Sequence, residues 1–200
     1  MGFTRKMGFV LVLLSLVGMS TGCGVRSLPK SKNNVEATLA EITNQYKRRA
    51  DLIPNLVRTV KGYAAHEADT LKAVVEARAK ATATNIDPSN LNAKKIQEFQ
   101  AAQGSLSRAL GKLMVVVEKY PDLKADRNFR ELQAQLEGTE NRITVARNRH
   151  IEAIKIFNDL VTAPPESWTN SLFYNYEKMS QWTVDEAEKA KNEVAPKVEF

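Results

Sequence analysis

Imidazole and thiol side chains, which ligate soft metals and act as bases or nucleophiles, are few in this sequence: two histidines, His66 and His150, and one cysteine, Cys23. A zinc-protease helix carries two histidines four residues apart with a glutamate beside the first. His66-Glu67 begins that pattern, but Thr70 stands where the second histidine is required. A ferritin-like di-iron site needs a glutamate three residues before an inward-facing histidine on each of two helices. Those positions hold Tyr63 and Arg147. Gly104, Gly111 and Gly138 are isolated within helical patterns, not gathered into a phosphate-cradling loop. Asp51, Glu67, Glu76 and Glu118 are candidates for acid–base work only because any helical bundle brings some carboxylates together. The expectation is a non-enzymatic protein with no catalytic residues, no metal and no cofactor.

The cysteine has a different use. Arg5 and Lys6 precede an uncharged stretch, Met7 to Met19, which is followed by the small residues Ser20, Thr21 and Gly22 and then Cys23. Thirteen apolar residues in a helix reach only about 20 Å, short of the ~30 Å hydrocarbon core of a bilayer. A positive start, a short apolar run and a small-residue exit predict a signal peptide over residues 1–22. Ser20-Thr21-Gly22-Cys23 resembles the bacterial lipobox, with Ser20 in place of the usual leucine, which assigns Cys23 as the lipidation site. Two or three acyl chains anchor stably where one does not. Removing residues 1–22 lowers the formal net charge from +6 to +4. Residues 23–33 then read as the lipidated cysteine and a flexible basic tether, because Gly24, Ser27, Pro29 and Ser31 disfavour regular structure. Arg26, Lys30 and Lys32 lie where anionic headgroups would be.

The remainder must be helical. Val35, Leu39, Ile42, Tyr46, Ile53, Val57, Val60, Leu71 and Val74 recur at steps of mostly three and four, predicting one helix through Ala83 with a kink at Pro54. Asn85 to Asn90 break it, with Asp87 placed to cap a helix starting at Pro88, a role that Ser89 or Asn92 would also serve. A second helix carries Phe99, Gln103, Leu106, Leu110, Leu113 and Val117 in a heptad-like seam with one polar position, and Tyr120-Pro121-Asp122-Leu123 ends it. A third runs from about Asp126, with Phe129, Leu132, Leu136, Ile143, Ile154 and Phe157 on one face, to Ala163-Pro164-Pro165. The expected fold is all-α: an elongated antiparallel bundle of three long helices over residues 34–165. Residues 166–200, with both tryptophans, add an aromatic short helical segment packed on the bundle and then a charged tail.

A length of 200 residues with 43% hydrophobic and 26% charged residues fits one globular domain, and a single cysteine excludes an intramolecular disulfide framework. The densest basic cluster is Lys47-Arg48-Arg49, followed by Arg58 and Lys61, with Asp51 at helical pairing distance. These six residues form the candidate interaction surface. An exported address puts nucleic acid out of reach.

A family resemblance rests on longer strings. Lys47 to Val57 (KRRADLIPNLV), Val60-Lys61-Gly62-Tyr63, His66-Glu67, Val75 to Arg78, Glu118 to Ala125 (EKYPDLKA), Asn128-Phe129, Leu132-Gln133, Glu140 to Arg147, Asn158, Trp182 and Pro196 to Phe200 together resemble the LemA family over roughly residues 34–200. Two features depart from the family pattern. A lipobox replaces the N-terminal transmembrane helix of many members, and Val35 to Thr43 replace the usual aromatic-rich opening of the first long helix. The resemblance implies an elongated helical bundle, membrane tethering and interaction with envelope or membrane proteins, and it transfers no catalytic residues. It marks Pro54, Asn55, Tyr120, Pro121, Asp122 and Leu123 as positions that shape the architecture. The expected role is therefore a scaffolding partner in the bacterial cell envelope, anchored at Cys23 and facing away from the cytoplasm. The alternative is a binder of anionic lipid or cell-wall polymer through the basic helix face, and the remote one an enzyme with an unrecognised carboxylate pair. The sequence leaves the oligomeric state open.

Overall fold

A computed structural model of the chain describes residues 22–84, 86 and 93–180. Residues 1–21 of the expected signal peptide, the Asp87 cap, Trp182 and the charged tail lie outside the described residues. Helix α1 spans Gly22–Tyr63, α2 Ala68–Ala83, α3 Ala93–Val117, α4 Pro121–Ala125, α5 Arg127–Thr162 and α6 Glu166–Thr169, the last followed by one turn of π-helix, Asn170–Tyr174. No strand occurs among the described residues.

Helix α1 is 42 residues long, about 63 Å at 1.5 Å per residue. It includes residues 24–33, so the flexible tether expected there is instead helical. The reason is tertiary. Leu28 and Ser31 are buried and extend the stripe of Val35, Leu39, Ile42 and Tyr46 upward at steps of three and four. Covering that face outweighs the weak helix propensity of glycine, serine and proline. Both Pro29 and Pro54 lie inside α1, and the helix continues through them.

The single helix expected through Ala83 is in fact two. After Tyr63 the chain reverses at Ala64 to Glu67, where Glu67 N donates to Ala64 O at 3.1 Å, and α2 returns along α1. Arg78 Nε donates to Ala50 O at 2.8 Å, which fixes that antiparallel return. The reversal buries Leu71, Val74 and Ala81 against Ile53, Leu56 and Val60, which one straight helix would have left uncovered. Among the described residues, the segment expected as one helix is therefore two, and four helices of 16 residues or more are present where three were expected.

Helix α5 runs antiparallel to α1 over nearly its whole length, through Arg149 Nη1 to Glu41 Oε1 at 2.8 Å near one end and Tyr63 Oη to Asp126 Oδ2 at 3.0 Å near the other. Asp126 also caps α5 by accepting from Phe129 N at 2.8 Å. That backbone donor, helped by Tyr63, holds the Asp126 carboxyl below its usual value, while Asp126 raises the Tyr63 phenol. At the same end Tyr120 Oη donates to Glu67 Oε1 at 3.2 Å, joining the α1–α2 reversal to the end of α3.

The apolar core is layered along this axis. The lowest layer sets Ile53, Leu56 and Val60 against Leu106, Leu113 and Phe129, and the middle one sets Ile42 and Tyr46 against Phe99 and Ile143. In the upper layer, where only α1 and α5 remain, Val35 meets Ile154 and Phe157, and Tyr176 and Met179 close over them. The Asn158 side chain holds that returning strap from both sides, donating to Met179 O at 2.9 Å and accepting from Met179 N at 2.8 Å.

His150 is fully buried in α5. Thr38 Oγ1 lies 3.0 Å from its Nδ1 and 2.9 Å from Val35 O, so the ring is held against the first turns of the α1 stripe. Burial pushes the imidazole down from 6.5 to about 4, against a smaller upward pull from the Val35 backbone. Between those values the unfolded chain binds a proton that the folded chain refuses. Stability is thus complete above about pH 6.5 and declines as pH falls toward about 4. Thermal melts from pH 7.5 to 4.5 should show a falling Tm that His150→Leu flattens. An equal slope in the variant would assign the dependence elsewhere.

Candidate functional site

Arg49 lies in the middle of α1, three residues after Tyr46 and four before Ile53, and so on the buried stripe. It is 2% exposed. Its Nη1 donates to Ser107 Oγ at 3.0 Å and to Glu140 Oε2 at 2.9 Å. Its Nη2 donates to Gln103 Oε1 at 2.8 Å and to Gln103 O at 3.3 Å. Gln103 Nε2 in turn donates to Ala81 O at 3.2 Å, satisfying one of the carbonyls that a helix end leaves without a partner. The Tyr46 ring lies 5.0 Å from the guanidinium carbon, within range of a cation–π contact. One side chain thereby ties α1 to α3 and α5 directly, and to the end of α2 through Gln103.

The expectation of an exposed six-residue surface is corrected at this residue. Lys47, Arg48, Asp51, Arg58 and Lys61 are exposed, and Arg49 is not. The helical period explains the split. Lys47, Asp51, Arg58 and Lys61 repeat at steps of four, seven and three along the outer face, with Pro54 between them, while Arg49 points the other way. The signal for this was present in the spacing Tyr46, Arg49, Ile53. Gln103, the one polar member of the α3 seam, marked the receiving side.

Above Arg49 the bundle is open between α3 and α5. A cavity of about 370 Å³ is walled by Leu110, Gly111, Met114 and Leu136, floored by Arg49, and rimmed by Ser107, Gln133, Glu137 and Glu140. Leu110 and Leu136, expected in apolar seams, are only half-buried because no helix covers them here. A Cβ added at Gly111 would meet nothing within 4 Å. A second, more polar groove of about 390 Å³ lies between α1 and α5, lined by Asn55, Arg58, Thr59, Asn128, Glu131, Leu132 and Gln135.

The remaining marked positions cluster at the lower end. Pro54, Asn55, Pro121 and Asp122 are exposed, Tyr120 is half-buried on Glu67, and Leu123 is buried as α4 makes the turn from α3 to α5. Cys23 falls in the first turn of α1. The four weak acid–base candidates do not share a site: Glu67 accepts from Tyr120, Glu76 pairs with Lys72 and Glu118 with Lys124, and Asp51 is on the outer stripe. Among the described residues no three His, Cys, Asp or Glu side chains come together in a way that could hold a metal ion. None of the described helices is long and apolar enough to cross a membrane.

The LemA family profile matches residues 38–200, from the middle of α1 to the last residue of the sequence. The chain belongs to the LemA family. No curated protein matches it. LemA is not a known enzyme family. In this LemA-family chain several polar residues of the marked strings act as joints. Arg49 meets Glu140, Arg78 meets the α1 backbone, Tyr120 meets Glu67, and Asn158 holds the C-terminal strap.

Removing Arg49 leaves Gln103 Oε1 buried without its donor and opens a void beneath the groove. Arg49→Ala should therefore destabilise the fold by about 3 kcal/mol, whereas Arg48→Ala on the exposed face should change stability by less than about 0.5 kcal/mol. Urea unfolding at neutral pH measures both. Equal, small effects would contradict the buried assignment.

Proposed function

We propose that this LemA-family chain is a non-enzymatic, membrane-anchored interaction protein of the bacterial cell envelope, which holds a second envelope or membrane protein through the open edge of its bundle. The observation that carries the reading is the apolar groove between α3 and α5. Leu110, Met114 and Leu136 give it apolar walls about one helical turn long, and Glu137 and Glu140 edge it with negative charge. The complementary partner is an amphipathic helix with an apolar face and a flanking Lys or Arg, the usual mode of helix-in-groove recognition. Anchoring at Cys23, with residues 1–22 removed, supplies the membrane attachment.

A second reading is favoured by the exposed cations of α1. Lys47, Arg58 and Lys61, with Arg48 at the edge, offer a basic stripe to anionic lipid or cell-wall polymer. Such binding weakens steeply with ionic strength, and apolar docking does not.

In-cell crosslinking of the full-length tagged chain, followed by mass spectrometry of the captured material and of the mature N-terminus, separates these readings. The expected result is one protein in near-stoichiometric yield that is lost in Gly111→Trp, which fills the groove from a position with free space, and retained when Lys47, Arg48, Arg58 and Lys61 are changed to Gln. Lipid or glycan captured without protein, and lost in the Gln variant, would overturn the scaffold reading in favour of the basic stripe. An unacylated Cys23 would overturn the lipid anchor.

A further inference from the structure

The strongest apolar exposure is not at the groove but at the end of the molecule where α1 begins. Trp168, Leu172 and Phe173 stand 67%, 76% and 68% exposed within a segment of six residues. Exposed hydrophobic residues scattered singly are ordinary, but a contiguous group of large ones marks a binding surface. These three lie within one short helical stretch, Glu166 to Tyr174. Residues four and five apart in a helix that widens into a π-turn fall on one face, and the turn closes through Asn175 N to Asn170 O at 2.8 Å. The opposite face is fixed to the bundle: Asn170 is buried and holds Tyr176 N and O at 2.9 Å each, and Tyr174 Oη donates to Val25 O at 2.7 Å.

That last bond decides where the patch points. Val25 is two residues beyond Cys23, about 3 Å along the helix axis, so the patch sits beside the first turn of α1, directly after the apolar segment Met7 to Met19. Val25 is itself partly exposed, and the next cations on α1, Arg26 and Lys30, are exposed as well. Large apolar side chains headed by a tryptophan, beside a helix turn that carries exposed basic residues, match the chemistry of the bilayer interface. Indole and phenyl rings settle at headgroup depth, and Lys and Arg meet anionic phosphates.

We propose that Trp168, Leu172 and Phe173 form a membrane-docking knob that inserts into the headgroup layer beside the N-terminal anchor and holds the bundle axis in a fixed orientation to the bilayer. The partner is the lipid surface, with Arg26 and Lys30 favouring anionic headgroups. This rests on the reading that the chain is anchored at its N-terminal end. The anchor alone leaves a swivelling attachment, and a second contact offset from the helix axis removes that freedom.

The test uses the full chain carrying Trp182→Phe, so that Trp168 is the one remaining tryptophan, reconstituted in vesicles of phosphatidylethanolamine and phosphatidylglycerol. Part of the lipid carries bromine at a shallow acyl position. The expected result is co-flotation with the vesicles, a blue-shifted Trp168 emission and its loss to the brominated lipid. Leu172→Ser with Phe173→Ser, both on the surface, should keep the flotation and the thermal melt but restore the emission. Co-flotation with no quenching of Trp168 would overturn the knob while leaving the anchor intact. Shielding of Trp168 from aqueous iodide without quenching by bromolipid would assign the patch to a protein partner and overturn it equally. A chain that does not float at all would overturn the anchor and the knob together.

Discussion

A guanidinium buried among four helices constrains this molecule more than any other group in it. Taking an arginine out of water costs several kcal/mol unless a carboxylate and a set of acceptors are placed to receive it. Here the acceptors come from Gln103 and Ser107 on α3 and Glu140 on α5, while the Gln103 amide reaches on to the end of α2. Glu140 remains 53% exposed, so the pair is desolvated on one side only. Apolar layers tolerate small slides of one helix along another. A fork of N–H donors with fixed directions does not, and so Arg49 sets the register in which the layers above and below it pack.

The same economy of polar contacts governs the ends. At the lower end Asp126 caps α5 and receives Tyr63, and Glu67 receives Tyr120, so both reversals are joined to helices distant in sequence. At the upper end the Asn158 amide satisfies both backbone groups of Met179, and Tyr174 reaches the first turn of α1. With these side chains engaged in architecture, surfaces left open among the described residues include the groove between α3 and α5, the basic stripe of α1 and the exposed aromatic segment after α5. About 36 Å of helix separate Val25 beside the knob from Arg49 beneath the groove. On an anchored chain, that distance holds the groove well clear of the headgroups.

Much of this was legible in the residues. The seam of α3, the start of α5 after Asp126 and its stop at Ala163-Pro164-Pro165 all follow from spacing and from cap and breaker chemistry, and α3 and α5 fall where these place them. The reversal at Ala64 to Glu67 was not legible, because the apolar stripe continues in phase across it, no proline marks it, and Glu67 at the N-cap of α2 makes no side-chain capping bond. The helical state of residues 24–33 was hidden for a related reason: their local propensities are poor, and a contact that reaches this segment, Tyr174 to Val25, comes from the far end of the chain. Of the six candidate surface residues, five are exposed, and Arg49 alone faces inward.

Sequence alone determined the helical class, the apolar stripe of each helix and the family, because all three are written in residue order and in a period of 3.6. Tertiary structure decided which stripes are covered and which are left open, and hence that Arg49 is a joint, that Leu110 and Leu136 line a groove and that Trp168 stands at the end where α1 begins. Those outcomes depend on contacts between residues separated by 54 to 149 positions. A local period fixes the direction of a side chain on its own helix but carries no information about which distant helix will stand opposite.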